Sequence, residues 1–352
     1  MLKNDNDVLI LGIESSCDET ACSVVKNGRE ILSNVIASQA DFHEQFGGVV
    51  PELASRMHVD AVYPCIIEAL KQANADWDDI DAVAVTYGPG LVGALLVGLS
   101  AAKGICEVHN KPLVGVNHLH GHICANYLCF PELTPPFLCL CVSGGNTMIV
   151  RIDDYCDLKV MAATRDDAAG EAIDKISRVI GLGYPGGPKM DKAGQGGDVT
   201  RYIFPKTHMT NSLDFSFSGI KTAALNMINE SKMKGIDIDL KDFTASYQQH
   251  IANILIDHTI KAAQISGIKT ICLAGGVSAN SFLRATVDKK AKDNKLKIYY
   301  PSLGLCTDNA AMIASAGYFE YINGKRDSLD LNAVPSLRLP EEDLAIIANG
   351  GS

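Results

Sequence analysis

The hydrophobic positions of this 352-residue chain fall into short runs, and the runs repeat. Residues 8–37 read as three strands, VLILGIE, ACSVVKNG and REILSNVIA, the first two separated by the polar turn SSCDET. Residues 137–164 follow the same plan with FLCLCVS, the turn GGNT, MIVRIDDYC and DLKVMAA. Short β-rich runs punctuated by Gly, Asn, Asp and Ser are hairpin signals. Each triplet is followed later by a buried strand, a Gly-rich turn and an apolar helix. These are DAVAVTY–GPG–LVGALLVGLSAAKGI at 81–105 and KTICLAGG–VSAN–SFLRATVDKKAK at 269–292. A repeat this long predicts two α/β lobes, each a mixed sheet flanked by helices, with the ligand site in the cleft between them.

The Pro-rich FPELTPPF marks a lobe boundary near residues 125–136. The helix NAAMIASAGYFEYI after Asp308 is expected to return to the first lobe. The expected lobes are therefore residues 1–130 with 308–340, and residues 131–307. Duplicated mixed-sheet lobes with paired hairpins around a central cleft resemble the actin-like ATPase fold shared by actin, sugar kinases and heat-shock chaperones. That likeness implies a fold and names no reaction.

Composition narrows the function classes. No N-terminal segment reads as a signal peptide, and no run approaches the roughly 20 apolar residues of a membrane span. The 11 cysteines are odd in number, contain no C-x-x-C pair, and several sit inside apolar runs. They read as reduced thiols of a cytoplasmic protein with no membrane partner. The net charge is −10, and it is uneven: residues 1–100 hold 15 acidic and 5 basic side chains, the rest 26 of each. An acidic first lobe repels phosphates and suits a protein partner. The basic groups of the second lobe (Lys175, Arg178, Lys189, Lys192, Arg201, Lys206 and Lys221) are nearly balanced by neighbouring acids.

The sharpest chemical signal is NHLHGH at 117–122, which follows the apolar strand PLVGV and opens a helix. His118 and His122 are at i and i+4, so both imidazoles project from one face and can chelate one metal, while His120 points elsewhere. The same spacing also occurs on ordinary surface helices. A zincin carries Glu directly after its first His; Leu119 stands there, so a metallopeptidase lacks its general base. Asp308, between a loop and a helix, is the candidate third ligand, although Asp is equally suited to cap that helix. Two His and a carboxylate with open positions suit Fe(II) or Zn.

Glycine turns form the second signal: VSGGNT at 142–147, YPGGPKMD at 184–191 and AGGVSAN at 274–280. Each can bring backbone N–H groups to phosphate oxygens, although tight turns need glycine anyway. GPGLVG at 88–93 matches G-x-G-x-x-G, but the next strand ends in Asn117 and His118 where a dinucleotide fold needs an acid. The turn ESSCDET supplies Glu14, Asp18 and Glu19 as carboxylates for a metal or water, and DDAAGEAIDK places Asp174 on a helix of the second lobe.

Together GIESSCDET, FGGVVPELASRMHVDAV, TYGPGLVGALLVG, NHLHGH, VSGGNT, DDAAGEAIDK, YPGGPKMD, FSFSGIKTA, AGGVSAN and CTDNAA resemble the bacterial tRNA threonylcarbamoyladenosine transferase family, once labelled glycoprotease. The resemblance runs from about residue 8 to 323. It implies transfer of a threonylcarbamoyl group from threonylcarbamoyl-adenylate to the exocyclic amine of adenosine 37, beside the tRNA anticodon. His118, His122 and Asp308 match the family's metal ligands, with Fe(II) the usual ion and Zn or Mg the alternatives. Cys141, Val142, Ser143, Gly144, Gly145, Asp174, Gly187, Asp191 and Asn280 match its substrate-contacting positions. Implied partners are tRNA, a shorter actin-like paralogue and a small P-loop ATPase. The adenylate is a mixed anhydride with an activated carbonyl, so no serine or cysteine nucleophile is required. Asp18 and Glu19 are the candidates for taking the amine proton. One position departs from the family: Asn146 stands where VSGGHT has histidine.

Overall fold

The structure, a computed structural model, describes residue 4 and residues 7–205 and 212–342. Lys206, among the basic residues named above, lies outside them. The chain divides into two compact units, residues 1–134 with 301–339, and residues 135–300 with 340–352.

The first unit begins with β1 (Leu9–Glu14), β2 (Glu19–Lys26) and β3 (Glu30–Ser38), then α1 (Ala40–Glu44), α2 (Pro51–Ala73), β4 (Ala82–Gly88), α3 (Val92–His109), β5 (Leu113–Asn117) and α4 (His118–Cys129). The sheet order is β3-β2-β1-β4-β5; the β1–β2–β3 meander is antiparallel, and β1, β4 and β5 run parallel. Helix α2 starts at Pro51, whose missing N–H costs nothing in a first turn, and stops at Asn74 in the left-handed region. Helix α3 is, by length and composition, apolar enough to cross a membrane, which the sequence pattern had not suggested. Here Leu95, Leu99, Ala102 and Cys106 are buried, with Leu99, Ala102 and Cys106 in the core of the sheet and α2.

The second unit repeats the design. It holds β6 (Phe137–Val142), β7 (Thr147–Asp154), β8 (Asp157–Ala163), α5 (Ala169–Val179), α6 (Gly186–Gly194), α7 (Ser218–Lys234), α8 (Leu240–Ser266), β9 (Thr270–Ala274), α9 (Ser281–Asp293) and β10 (Lys297–Tyr299). Its order is β10-β9-β6-β7-β8, again an antiparallel meander extended by parallel strands. The strands β1 and β6 are buried at every residue, as central strands covered on both faces must be.

The chain then returns to the first unit with α10 (Ala310–Ile322). Side chains along β1 alternate between faces. Leu9, Leu11 and Ile13 join the core under α2 and α3. Gly12 faces α10: a Cβ there would lie 2.4 Å from the Ala310 carbonyl and 2.8 Å from the Ala314 amide. Further along the helix, a Cβ on Gly317 would lie 2.3 Å from the Cβ of Ala84 on β4. Helix α10 therefore rests against bare backbone, closer than side-chain packing allows.

On the other side, buried His58 of α2 bridges to the β1–β2 turn. Its Nδ1 meets the Thr20 hydroxyl at 2.7 Å and its Nε2 the Cys17 carbonyl at 2.9 Å. Burial holds this imidazole below its ordinary pKa.

This packing sets the expected behaviour of two glycine variants and one histidine variant. Gly12→Ala should destabilise the protein by about 1–3 kcal/mol, because the backbone of α10 must shift. Gly104→Ala, in α3 with nothing within 4 Å of the added methyl, should instead stabilise by about 0.5–1 kcal/mol. Urea midpoints of the two variants check the contrast; equal shifts would refute it. For His58 the sign is set by its lowered value. Both folded and unfolded states carry a neutral ring above about pH 6.5, so the full stability is present there. Below it the unfolded chain gains the proton first, and stability falls until the folded value is reached. His58→Gln should be less stable at pH 8 but show a flatter decline toward pH 5.5; parallel curves for both proteins would contradict the assignment.

Candidate active site

Strand β5 ends at Asn117, whose side chain caps α4 by accepting the Leu119 N–H. The cap starts the helix at His118, so His118 and His122 stand one turn apart, ring centroids 4.6 Å from each other. Asp308 precedes α10. The cap of that helix is the next residue, Asn309, whose Oδ1 accepts the Met312 N–H at 3.0 Å. Asp308 is thereby relieved of the capping duty the sequence allowed it, and its carboxylate turns to α4. Its Oδ1 lies 3.4 Å from His118 Nε2 and 3.1 Å from His122 Nε2. One ligand atom from each of the three residues falls within 4.8 Å of the others.

Glu14, at the end of β1, completes the surroundings. It faces the same side of the strand as Gly12, two residues back. Its carboxylate is fully buried and accepts from the Ser16 N–H at 2.5 Å and the Thr86 hydroxyl at 2.5 Å. It also meets His118 Nδ1 at 3.1 Å. A carboxylate on Nδ1 holds the proton there and leaves Nε2 as the donor nitrogen facing Asp308. Sequence reading grouped Glu14 with Asp18 and Glu19 without separating its role. The signal available was a carboxylate terminating a strand with no other polar side chain.

Charges in this pocket favour a cation. Burial alone would lower the His118 pKa, but Asp308 and Glu14 outweigh it and hold it well above the ordinary value. Burial would raise Asp308, yet His118 draws it far below the usual carboxylate range. Both ring nitrogens of His122 are buried without a hydrogen bond, since Nε2 approaches Asp308 off the hydrogen-bonding axis. A dry imidazole left unpaired is costly. Coordination of its nitrogen removes that cost, so two imidazoles and a carboxylate fit a divalent cation.

His120 turns away, as its helical phase predicts, and faces Glu320 of α10 at 3.3 Å. Burial opposes its charge, but Cys124 and Glu320 outweigh that and push it up to about 10. This pair ties α4 to α10. Asp18 and Glu19 occupy the β1–β2 turn. Burial, Asp18 and Asp308 push Glu19 up to about 9. Burial and the neighbouring carboxylates, Asp18 first, raise Cys17 far above the thiol range, so it offers no thiolate nucleophile.

The remaining candidate residues lie in the second unit. Cys141 and Val142 close β6 as buried strand residues. Ser143 and Asn146 then form a tight turn: the Ser143 N–H donates to the Asn146 carbonyl at 2.8 Å, and the Asn146 N–H to the Ser143 hydroxyl at 3.1 Å. Asn146 holds this turn through its backbone, which an Asn or a His serves equally. Gly144 and Gly145 have open space where a Cβ would be, and their N–H groups have no acceptor among the described residues. Two other glycines bring neighbouring elements up to this turn. A Cβ on Gly170 of α5 would lie 2.4 Å from the Ser143 carbonyl, and Gly275, at φ +84, comes as close to the Val142 carbonyl.

Asp174 accepts the Gly186 N–H at 2.7 Å and holds the 183–187 turn beside Gly187. Asp191 accepts from the Ser281 hydroxyl at 2.5 Å. Asn280 caps α9 through the Leu283 N–H and donates its amide to Gln248 at 2.7 Å. Gln248, buried on α8, also donates to the Met190 carbonyl at 2.9 Å, so one side chain joins α6 to the start of α9. Nothing in its local sequence announced this.

Comparison with known proteins agrees with this arrangement. The chain is 14% identical to full-length HypF in its phosphate- and nucleotide-bound form, with a TM-score of 0.61 over 90% of this chain and 47% of that one. It is 16% identical to (R)-2-hydroxyglutaryl-CoA dehydratase component A of Acidaminococcus fermentans, with a TM-score of 0.52 over 90% of this chain and 98% of that one. These likenesses show the fold alone, the two-lobed α/β fold of the actin-like ATPase type. In sequence the chain is 56% identical over 333 residues to a tRNA N6-adenosine threonylcarbamoyltransferase of Clostridium botulinum, covering 94% of this chain and 98% of the relative. It is 54% identical to that of Clostridium novyi over 95% of this chain and 99% of the relative. The family model for tRNA N6-adenosine threonylcarbamoyltransferase matches residues 30–315. The chain therefore belongs to the tRNA N6-adenosine threonylcarbamoyltransferase family.

Proposed function

We propose that this chain transfers the threonylcarbamoyl group of threonylcarbamoyl-adenylate to the exocyclic amine of adenosine 37 in tRNA, with Fe(II) held by His118, His122 and Asp308. The observation that carries this reading is the convergence of those three ligand atoms around a histidine whose nitrogens make no hydrogen bond. A divalent cation there supplies Lewis acidity toward a carbonyl or phosphate oxygen.

The other tasks fall to the chain itself. Glu14 fixes the tautomer and orientation of His118. The N–H groups of Gly144 and Gly145, without acceptors among the described residues, are the donors for adenylate phosphate oxygens. Asp174, Asp191, Gln248 and Asn280 hold the turns around them, which spares reorganisation when the nucleotide arrives. The acceptor amine needs a base, and Asp18 and Glu19 of the β1–β2 region remain the candidates. A peptidase reading has no support here, because Leu119 replaces the base and Glu14 is committed to Ser16, Thr86 and His118.

Partners and compartment belong to the same proposal. Val59, Tyr63 and Ile67 of α2 are exposed at i, i+4 and i+8, an apolar stripe on the acidic unit that suits the shorter actin-like paralogue. A P-loop ATPase completes the set. All eleven cysteines are thiols, which supports a reducing, cytoplasmic setting.

Replacing His118 and His122 by Ala should abolish metal retention and lower transfer by more than about a hundredfold. Elemental analysis and mass-spectrometric nucleoside analysis of tRNA read the two effects; full metal occupancy in the double variant would sink the assignment. Asn280→Ala removes a cap worth roughly 1 kcal/mol and should weaken binding of a non-hydrolysable adenylate analogue about fivefold, with metal content unchanged. Equal affinity by calorimetry would count against the second unit as the nucleotide site.

A further inference from the structure

Several basic side chains of the second unit are neutralised by acids. Lys175 and Lys221 pair with Asp167, Arg201 with Asp239 and Asp242, and Arg165 with Asp214. Of the second unit's lysines that make no ion pair among the described residues, Lys192 and Lys232 stand on α6 and α7, and Lys241 and Lys261 lie twenty residues apart on α8. One region differs. Residues 284–297 hold six basic side chains against two acidic ones. Lys289 and Lys292 are exposed on α9 three residues apart, hence on one face. Lys295 comes just after the helix at φ 55, its N–H bonded to the Lys292 carbonyl at 3.3 Å. The Lys297 N–H then reaches the Lys269 carbonyl at 2.8 Å, which brings exposed Lys269 into the same group. Lys269, Lys289, Lys292 and Lys295 make no ion pair among the described residues. A helix C-terminus favours one or two cations, but Lys269, Lys295 and Lys297 lie outside the helix.

We infer that this face, the C-terminal end of α9 with the starts of β9 and β10, is where the chain grips the sugar–phosphate backbone of its tRNA. The inference rests on the functional reading above and adds a surface to it. An uncompensated cationic group on a chain of net charge −10 is suited to a polyanion. Its position also fits: α9, capped by Asn280 beside the glycine turns, runs 13 residues from Ser281 to Asp293, about 20 Å at 1.5 Å per residue. An RNA whose target base reaches the turns extends along this helix and brings backbone phosphates to its far end.

The test uses full-length chain and a tRNA substrate, with affinity measured by fluorescence anisotropy across a range of KCl concentrations. The triple variant Lys269→Gln, Lys289→Gln, Lys292→Gln should bind about tenfold more weakly at low salt. Its plot of log affinity against log salt should be shallower by about 2, the loss of three phosphate contacts. The control Lys232→Gln, Lys241→Gln should keep the wild-type slope. Metal content and melting temperature should match wild type in both. A triple variant with wild-type affinity and slope would overturn the inference, as would one that keeps tRNA but loses a protein partner, or a wild-type chain with no tRNA affinity at low salt. The functional reading stands or falls separately, on whether wild-type protein with its partners forms the modified nucleoside.

Discussion

The first unit depends on how closely α10 can approach β1. Gly12 and Gly317 let helix and sheet meet nearly backbone to backbone. That contact sets the height of Asp308, two residues before the helix, relative to Glu14, two residues beyond Gly12 on the same face of the strand. Had β1 carried even an alanine there, α10 would stand off and the carboxylate would leave the reach of His118 and His122. The pair His120–Glu320 adds a second tie between α4 and α10. The site is thus held by three elements whose mutual distances are fixed by glycines and one buried charge pair.

The duplicated hairpin plan was legible in the sequence because strand alternation and turn residues are local signals. The histidine pair was legible for the same reason, since i and i+4 share a helical face. Tertiary duties were harder to read. Asp308 and Asn309 are both good caps, and only packing shows that Asn309 takes the cap. The bond of Asp174 to the Gly186 amide twelve residues away is likewise set by packing. Gln248, in the middle of a 27-residue helix, has no local feature that marks its bonds to Met190 and Asn280. His58 carries no local mark in the sequence, because a lone histidine on a helix has no distinguishing neighbour.

In the second unit the candidate site side chains bond to neighbouring backbone and side chains. Its glycine turns work because aspartates, a glutamine and two close-approach glycines hold them rigid while leaving the Gly144 and Gly145 amides open. Preorganised backbone donors of this kind stabilise negative charge without reorganising when it arrives.

The two units share one strand order, and β1 and β6 hold equivalent places in it. The turns that leave these two strands have opposite electrical character. From the end of β1 to the start of β2 come Glu14, Asp18 and Glu19, which gather negative charge. Beyond β6 come glycines whose only polar groups are their backbone amides and carbonyls, with the amides left as donors. One strand order thus carries two turns of opposite polarity, the first suited to a cation and the second to an anion. With two turns, neither has to meet the compromise that a single loop serving both charges would impose.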